Sequence, residues 1–121
     1  KNSHDPVEST KAMLVTMFYG VRAIDDAHRA KRANDLRAAL GTAQWELGQA
    51  WTHGEYASLS AQDKADARSY LLEFGMLVHE WIADDKRPTA AQAKEVRIGA
   101  ERLAEFVIGS RRVANPRGAR R

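Results

Sequence analysis

Residues 70–82, YLLEFGMLVHEWI, form the least polar stretch of this chain and decide how its fold is interpreted. The stretch is compatible with a membrane segment, a buried helix, or a helix that carries a site built from Glu73, His79 and Glu80. A membrane helix needs about 20 apolar residues, whereas this run has 13 and includes two Glu and one His. Charged residues also flank it on both sides. The sequence therefore predicts no transmembrane segment.

The helical periodicity of this stretch gathers its polar residues into one narrow stripe. At about 100° per residue, the stripe consists of Asp66, Ser69, Glu73, Glu80 and Asp84. The remaining circumference is apolar, and a helix of that kind is normally surrounded by other helices. We therefore expect this helix to be the central packing element. We also expect Gly75 to let a neighbouring helix approach closely, and His79 to lie in the core or at an interface.

Capping signals and apolar periodicity predict three further helices. Asp5 and Pro6 suit the start of a first helix, and the S/T-x-x-E/Q-like boxes SAQD (60–63) and TAAQ (89–92) suit the starts of the third and fourth. Gly54 suits the end of the second. We predict an all-α, antiparallel four-helix bundle with helices at about 6–31, 35–53, 60–85 and 89–109, and expect a single domain over residues 1–109.

The boundary between the first two helices leaves one alternative open. The segment HRAKRAND (28–35) is polar on every side and contains no residue that forbids a helix. The alternative is a three-helix arrangement in which one long first helix spans residues 6–53.

The charge distribution separates a basic tail from a slightly acidic body. The chain of 121 residues has a net charge of +3, but residues 110–121 contain five Arg and no acid. The rest has 14 basic and 16 acidic residues. We therefore expect a disordered basic tail that binds phosphates or acidic surfaces, through Arg111, Arg112, Arg117, Arg120 and Arg121.

The amino-acid composition excludes cysteine chemistry and indicates the kind of organism that the protein comes from. Cys is absent, which excludes disulfides and thiolate metal sites. The abundance of Ala and the excess of Arg over Lys are typical of GC-rich bacterial or phage genomes. We expect a cytoplasmic location, with an exported or membrane-anchored protein as the alternative because the chain starts at Lys1 rather than Met.

Candidate catalytic and metal-binding residues are few. Arg22 and His28 are six residues apart, a spacing found in some helical-bundle ribonucleases, in which such a pair supplies a cation and a general base. On a helical wheel the two side chains diverge, and we expect Arg22 to pair with Asp26 instead. No Glu-x-x-His or His-x-x-x-His motif occurs. We therefore predict that the protein is not an enzyme and has no metal or cofactor.

Trp45 is the most informative candidate for binding another protein. It lies about 180° from the apolar face of the second predicted helix, and Gly41 and Gly48 are on the same outer side. An outward Trp beside a bare surface is typical of an interface anchor. The alternative is that the bundle covers this face with Val15 and Tyr19 of the first helix or with the connection at 54–59.

These observations favour a small interaction protein such as an adaptor, an inhibitor or a mobile-element accessory factor. Its predicted partner-binding residues are Gly41, Trp45, Gly48 and Arg37. The wide apolar circumference of the third helix would also support a homodimer. The alternatives are a nucleic-acid-associated protein that uses the Arg-rich tail, and the soluble domain of an anchored or exported bacterial protein.

Overall fold

Four α-helices account for nearly all of residues 5–114, which are the residues that the computed structural model describes; for residues 110–114 it describes only the backbone. The helices are α1 (Pro6–Arg29), α2 (Ala33–Tyr56), α3 (Ala61–Ala83) and α4 (Ala90–Ala114). No strand occurs within this range. The predicted all-α four-helix bundle is confirmed.

Local side-chain caps explain where three of the helices begin. Asp5 Oδ1 accepts hydrogen bonds from the backbone N–H groups of Val7 and Glu8, at 2.9 and 3.4 Å. Ser60 Oγ accepts from the N–H of Asp63 at 3.0 Å. Thr89 and Gln92 form a reciprocal capping box, with bonds of 2.9 and 3.0 Å between each side chain and the other residue's N–H.

The alternative with one long first helix is wrong, because the chain leaves the helical conformation between Arg29 and Ala33. Ala30 is extended, with φ −61° and ψ 135°. Arg87, from the link between α3 and α4, donates hydrogen bonds to the carbonyl oxygens of Ala27, His28 and Ala30. The guanidinium thus lies against the carbonyls at the end of α1, of which that of Ala27 also accepts from the N–H of Ala30 at 3.3 Å.

Five predicted boundaries differ from the structure by two to five residues, including the start of α2 at Ala33 rather than 35 and the end of α3 at Ala83 rather than 85. α1 ends at Arg29 rather than 31, and α2 continues past Gly54 to Tyr56. Gly54 does not end the helix; it gives room to Met13, whose sulfur would lie 3.2 Å from a Cβ at that position. α4 continues to Ala114, so the helix extends into the segment predicted to begin the tail at residue 110.

The helices form an antiparallel ring in which each packs against two neighbours. α1 and α3 each contact α2 and α4. The link after α2 is tied to the start of α1 by a bond from Ser58 N–H to Thr10 Oγ1 at 2.8 Å. The core between the helices includes the fully buried side chains of Met13, Met17, Ile24, Leu40, Phe74, Val78 and Val107.

The contact between α3 and α4 depends on Tyr70. Its hydroxyl donates to the carbonyl of Val96 at 2.6 Å, and its ring lies against Gly99, where an added Cβ would be 2.5 Å from a ring carbon. Burial raises the pKa of Tyr70 above its usual value. The phenol therefore stays protonated and donates.

α3 is not the central packing element, and that prediction was wrong. Its core side consists of Ala67, Leu71, Phe74, Val78 and Trp81. Other apolar side chains are exposed: Leu72 57%, Met76 60%, Leu77 36% and Ile82 39%. Because a helix with two neighbours buries only part of its circumference, the apolar width of α3 exceeds what the bundle covers.

Candidate interaction surface

Trp45 lies on the outer side of α2 and is 65% exposed. No other part of the bundle comes within 4 Å of a Cβ added at Gly41 or Gly48, one turn to either side. The alternative, in which α1 or the connection at 54–59 covers this side, is therefore wrong. Val15 and Tyr19 are themselves exposed on α1. We refer to Gly41, Trp45 and Gly48 together as the Trp45 face.

An open cavity of about 510 Å³ runs between α2 and α3, next to the Trp45 face. We call it the α2–α3 groove. It is mainly apolar, and its lining includes Gly48, Trp51, Leu72, Gly75, Met76 and His79. Trp51 is 36% exposed here.

His79 is exposed at the edge of this groove, so it does not lie in the core. The other part of the prediction, that His79 lies at an interface, stays a prediction. Glu73 and Glu80 are exposed, as expected for the polar stripe. Within residues 5–114, no group of three His, Cys, Asp or Glu residues is placed to hold a metal ion.

Glycines of α2 and α3 leave parts of the α2–α3 side of the molecule without side chains. Gly in a helix interior costs about 1 kcal/mol relative to Ala, and a close contact usually accounts for it. Gly75 has nothing within 4 Å of an added Cβ, so the expected close approach of a neighbouring helix at that position is wrong. Gly41 and Gly48 are equally open, as is Gly109 on α4. Packing within the bundle does not account for three such positions on the α2–α3 side.

Charged side chains mark the two ends of the groove. At one end, the Arg68 guanidinium lies 6.0 Å from the centroid of the Trp51 ring, a cation–π distance. At the other end, Glu80 lines the groove. Arg37, a predicted partner-binding residue, lies near this end and pairs with Asp85 at 3.5 Å. Both members of that pair are exposed, so it contributes little stability.

The structure separates the two candidate catalytic residues. The ring of His28 joins α1 to the link after α3, because Nδ1 donates to the carbonyl of Pro88 at 2.9 Å. Arg22 is exposed at a shallow hollow between α1 and α4, which Asp25 and Arg97 also line. The ion pair in this part of α1 joins Asp25 and Arg29 at 3.2 Å, and not Arg22 and Asp26 as expected.

Residues 115–121 of the basic tail lie outside the described range. Arg111 and Arg112 lie in the last turns of α4, where only the backbone is described. Arg117, Arg120 and Arg121 lie outside the described range. The predicted contribution of these residues to phosphate binding stays a prediction. Of the described helices, none is long and apolar enough to span a bilayer.

The groove could have been recognised from one signal in the sequence. Leu72 and Met76 are four residues apart on α3, on a side that lies outside the core positions 67, 71, 74, 78 and 81. Apolar residues beyond the core stripe indicate either a fully enclosed helix or a second contact surface. The first interpretation led to the wrong position for α3.

Comparison of the chain with models of known protein families, with curated protein sequences and with solved structures found no match.

Proposed function

We propose that this protein is a small non-enzymatic interaction protein that binds another protein through its α2–α3 side, with Trp45 as the anchor. Adaptors and inhibitors are proteins of this kind. The observation that carries the proposal is the 65% exposure of Trp45 beside two glycines, Gly41 and Gly48, at which an added Cβ would have no neighbour within 4 Å.

An exposed Trp of this kind is well suited to binding. Trp has a large apolar area and is among the residues most often responsible for binding energy at protein interfaces. The bare backbone at Gly41 and Gly48 lets a partner approach α2 closely beside the indole ring. An exposed large apolar side chain beside bare backbone is typical of an interaction site.

The test compares Trp45→Ala with a matched exposed aromatic elsewhere on the bundle. Tyr19 on α1 is 51% exposed, so Tyr19→Ala removes a similar ring from a different side. Wild-type and variant proteins are used to capture partners from cells of the source organism, and the captured proteins are quantified by mass spectrometry. Circular dichroism confirms that both variants are folded.

We expect at least one protein to be captured by the wild type and by Tyr19→Ala but not by Trp45→Ala. With the purified partner, Trp45→Ala should weaken binding by about 30-fold or more, the loss of about 2 kcal/mol that defines an interface hot spot. Capture of the same proteins in the same amounts by Trp45→Ala would overturn the proposal.

A further inference from the structure

The exposed side of α3 carries a ridge of four side chains spaced four residues apart. In chain order they are Arg68, Leu72, Met76 and Glu80. All four are exposed, and the two apolar members are 57% and 60% accessible. Residues at i and i+4 lie next to each other on a helix surface, so the ridge presents a cation, two apolar side chains and an anion in a continuous row.

A depression lies beside this ridge. Gly75 belongs to the neighbouring i±4 row, between Leu71 and His79, and a Cβ at that position would have no neighbour within 4 Å. The depression opens into the α2–α3 groove, whose opposite wall includes Gly48 and Trp51. The helix therefore presents both a raised row and a space able to receive one.

The ridge has a cation at one end and an anion at the other, so its charges are complementary to those of a second, antiparallel copy of the ridge. Two helices pack most often with their i±4 ridges side by side, which inclines their axes by about 50°. If two copies of α3 meet in this way in antiparallel directions, Arg68 of each lies by Glu80 of the other, and Leu72 of each lies by Met76 of the other. Both ion pairs then form at once, as a two-fold axis requires.

We propose that a second copy of this chain occupies the α2–α3 groove, with the two α3 helices antiparallel and the ridge of each copy in the depression at Gly75 of the other. This inference rests on the proposed function in one respect, that the α2–α3 side is a contact surface. It identifies a second copy as the occupant of the groove and leaves Trp45, on the outer side of α2, to the other protein.

The experiment measures the molar mass of the purified full chain by sedimentation equilibrium and uses charge reversal at the two ends of the ridge. The wild type should be a dimer at about 100 µM, a concentration that populates dimers with micromolar Kd. In a dimer of R68E, an acidic residue at position 68 meets Glu80 of the other copy at both contacts; in a dimer of E80R, two basic residues meet at both contacts. Each variant should therefore weaken the dimer by about tenfold or more. An equimolar mixture of the two variants should form a heterodimer, because both contacts then become attractive again.

A second pair of variants tests the apolar part of the contact. L72E should abolish the dimer, whereas F106E, at a residue on α4 that is also 57% exposed, should leave it unchanged. A monomeric wild type overturns the proposal, as does a dimer that F106E disrupts and L72E does not. A mixture of R68E and E80R that remains monomeric overturns the antiparallel register. Trp45→Ala should keep the dimer mass, so loss of partner capture and loss of self-association are measured independently.

Discussion

At Gly99, the absence of a side chain lets α4 lie directly against the ring of Tyr70. A Cβ added there would be 2.5 Å from Tyr70 Cε1 and 3.1 Å from Cδ1. The ring cannot move away freely, because its hydroxyl is held by the carbonyl of Val96. We therefore predict that Gly99→Ala lowers the free energy of unfolding by about 1–3 kcal/mol, the usual cost of an overpacked contact. Urea denaturation followed by circular dichroism measures the change.

The matched control is Gly41→Ala on α2. No atom lies within 4 Å of the added Cβ at this position, so the substitution should gain helix propensity without a clash and stabilise the protein by about 0.5–1 kcal/mol. The two variants make the same chemical change and should shift the urea midpoint in opposite directions. A loss of stability in both variants would contradict the open space assigned to Gly41.

At the scale of single residues, the sequence does not show which glycines lie against another helix. The cost of Gly75 indicated a close approach, yet the structure leaves that position open. The close contact occurs at Gly99, which no local pattern indicated. The difference arises because a glycine's neighbour belongs to another helix, and the identity of that neighbour depends on how the helices are rotated against each other.

The helix starts were predictable because capping is local. The bonds at Asp5, Ser60 and Thr89 each join residues no more than three positions apart. The end of α1 was not predictable, because it depends on Arg87, which is 57 to 60 residues further along the chain.

Periodicity identified α3 as a helix but could not show how much of its circumference the other helices would cover. In a ring of four helices, that fraction follows from the number of neighbours.

The orientation of α3 gives a prediction from two adjacent residues. Val78 is fully buried and Leu77 is 36% exposed. Val78→Ala should lower the free energy of unfolding by about 1–3 kcal/mol, since it leaves a cavity in the core. Leu77→Ala removes more atoms but should cost less, about 1 kcal/mol or below, because the side chain already contacts water.

Glu73→Ala, on the polar stripe of α3, is the surface control for these two variants and should change stability by no more than about 0.5 kcal/mol. The three free energies of unfolding are compared by chemical denaturation under one set of conditions. A larger loss for Leu77→Ala than for Val78→Ala would show that α3 is rotated relative to the bundle described here.

On the scale of the whole molecule, charge is divided unequally between body and tail. The net charge of +3 comes from the five Arg after residue 109, since the remainder has 14 basic and 16 acidic residues. Two cations near the α1–α2 link, Arg29 and Arg37, already pair with Asp25 and Asp85. The body therefore offers little uncompensated positive charge, and any affinity for nucleic acid should depend on the tail.

Deleting residues 115–121 tests this division, because it removes Arg117, Arg120 and Arg121 and leaves α4 intact to Ala114. Each phosphate neutralised on duplex DNA contributes about −0.9 to the slope of log affinity against log salt. For DNA binding by the full chain, we therefore expect a slope no steeper than about −4 to −5, and the deletion should reduce its magnitude by up to about 3. Electrophoretic mobility shifts across a salt series measure both slopes. An unchanged slope after the deletion would instead place the DNA contact within residues 1–114. The cations to substitute next would then be Arg111 and Arg112 of α4, followed by the exposed Lys31 and Arg32 in the α1–α2 link.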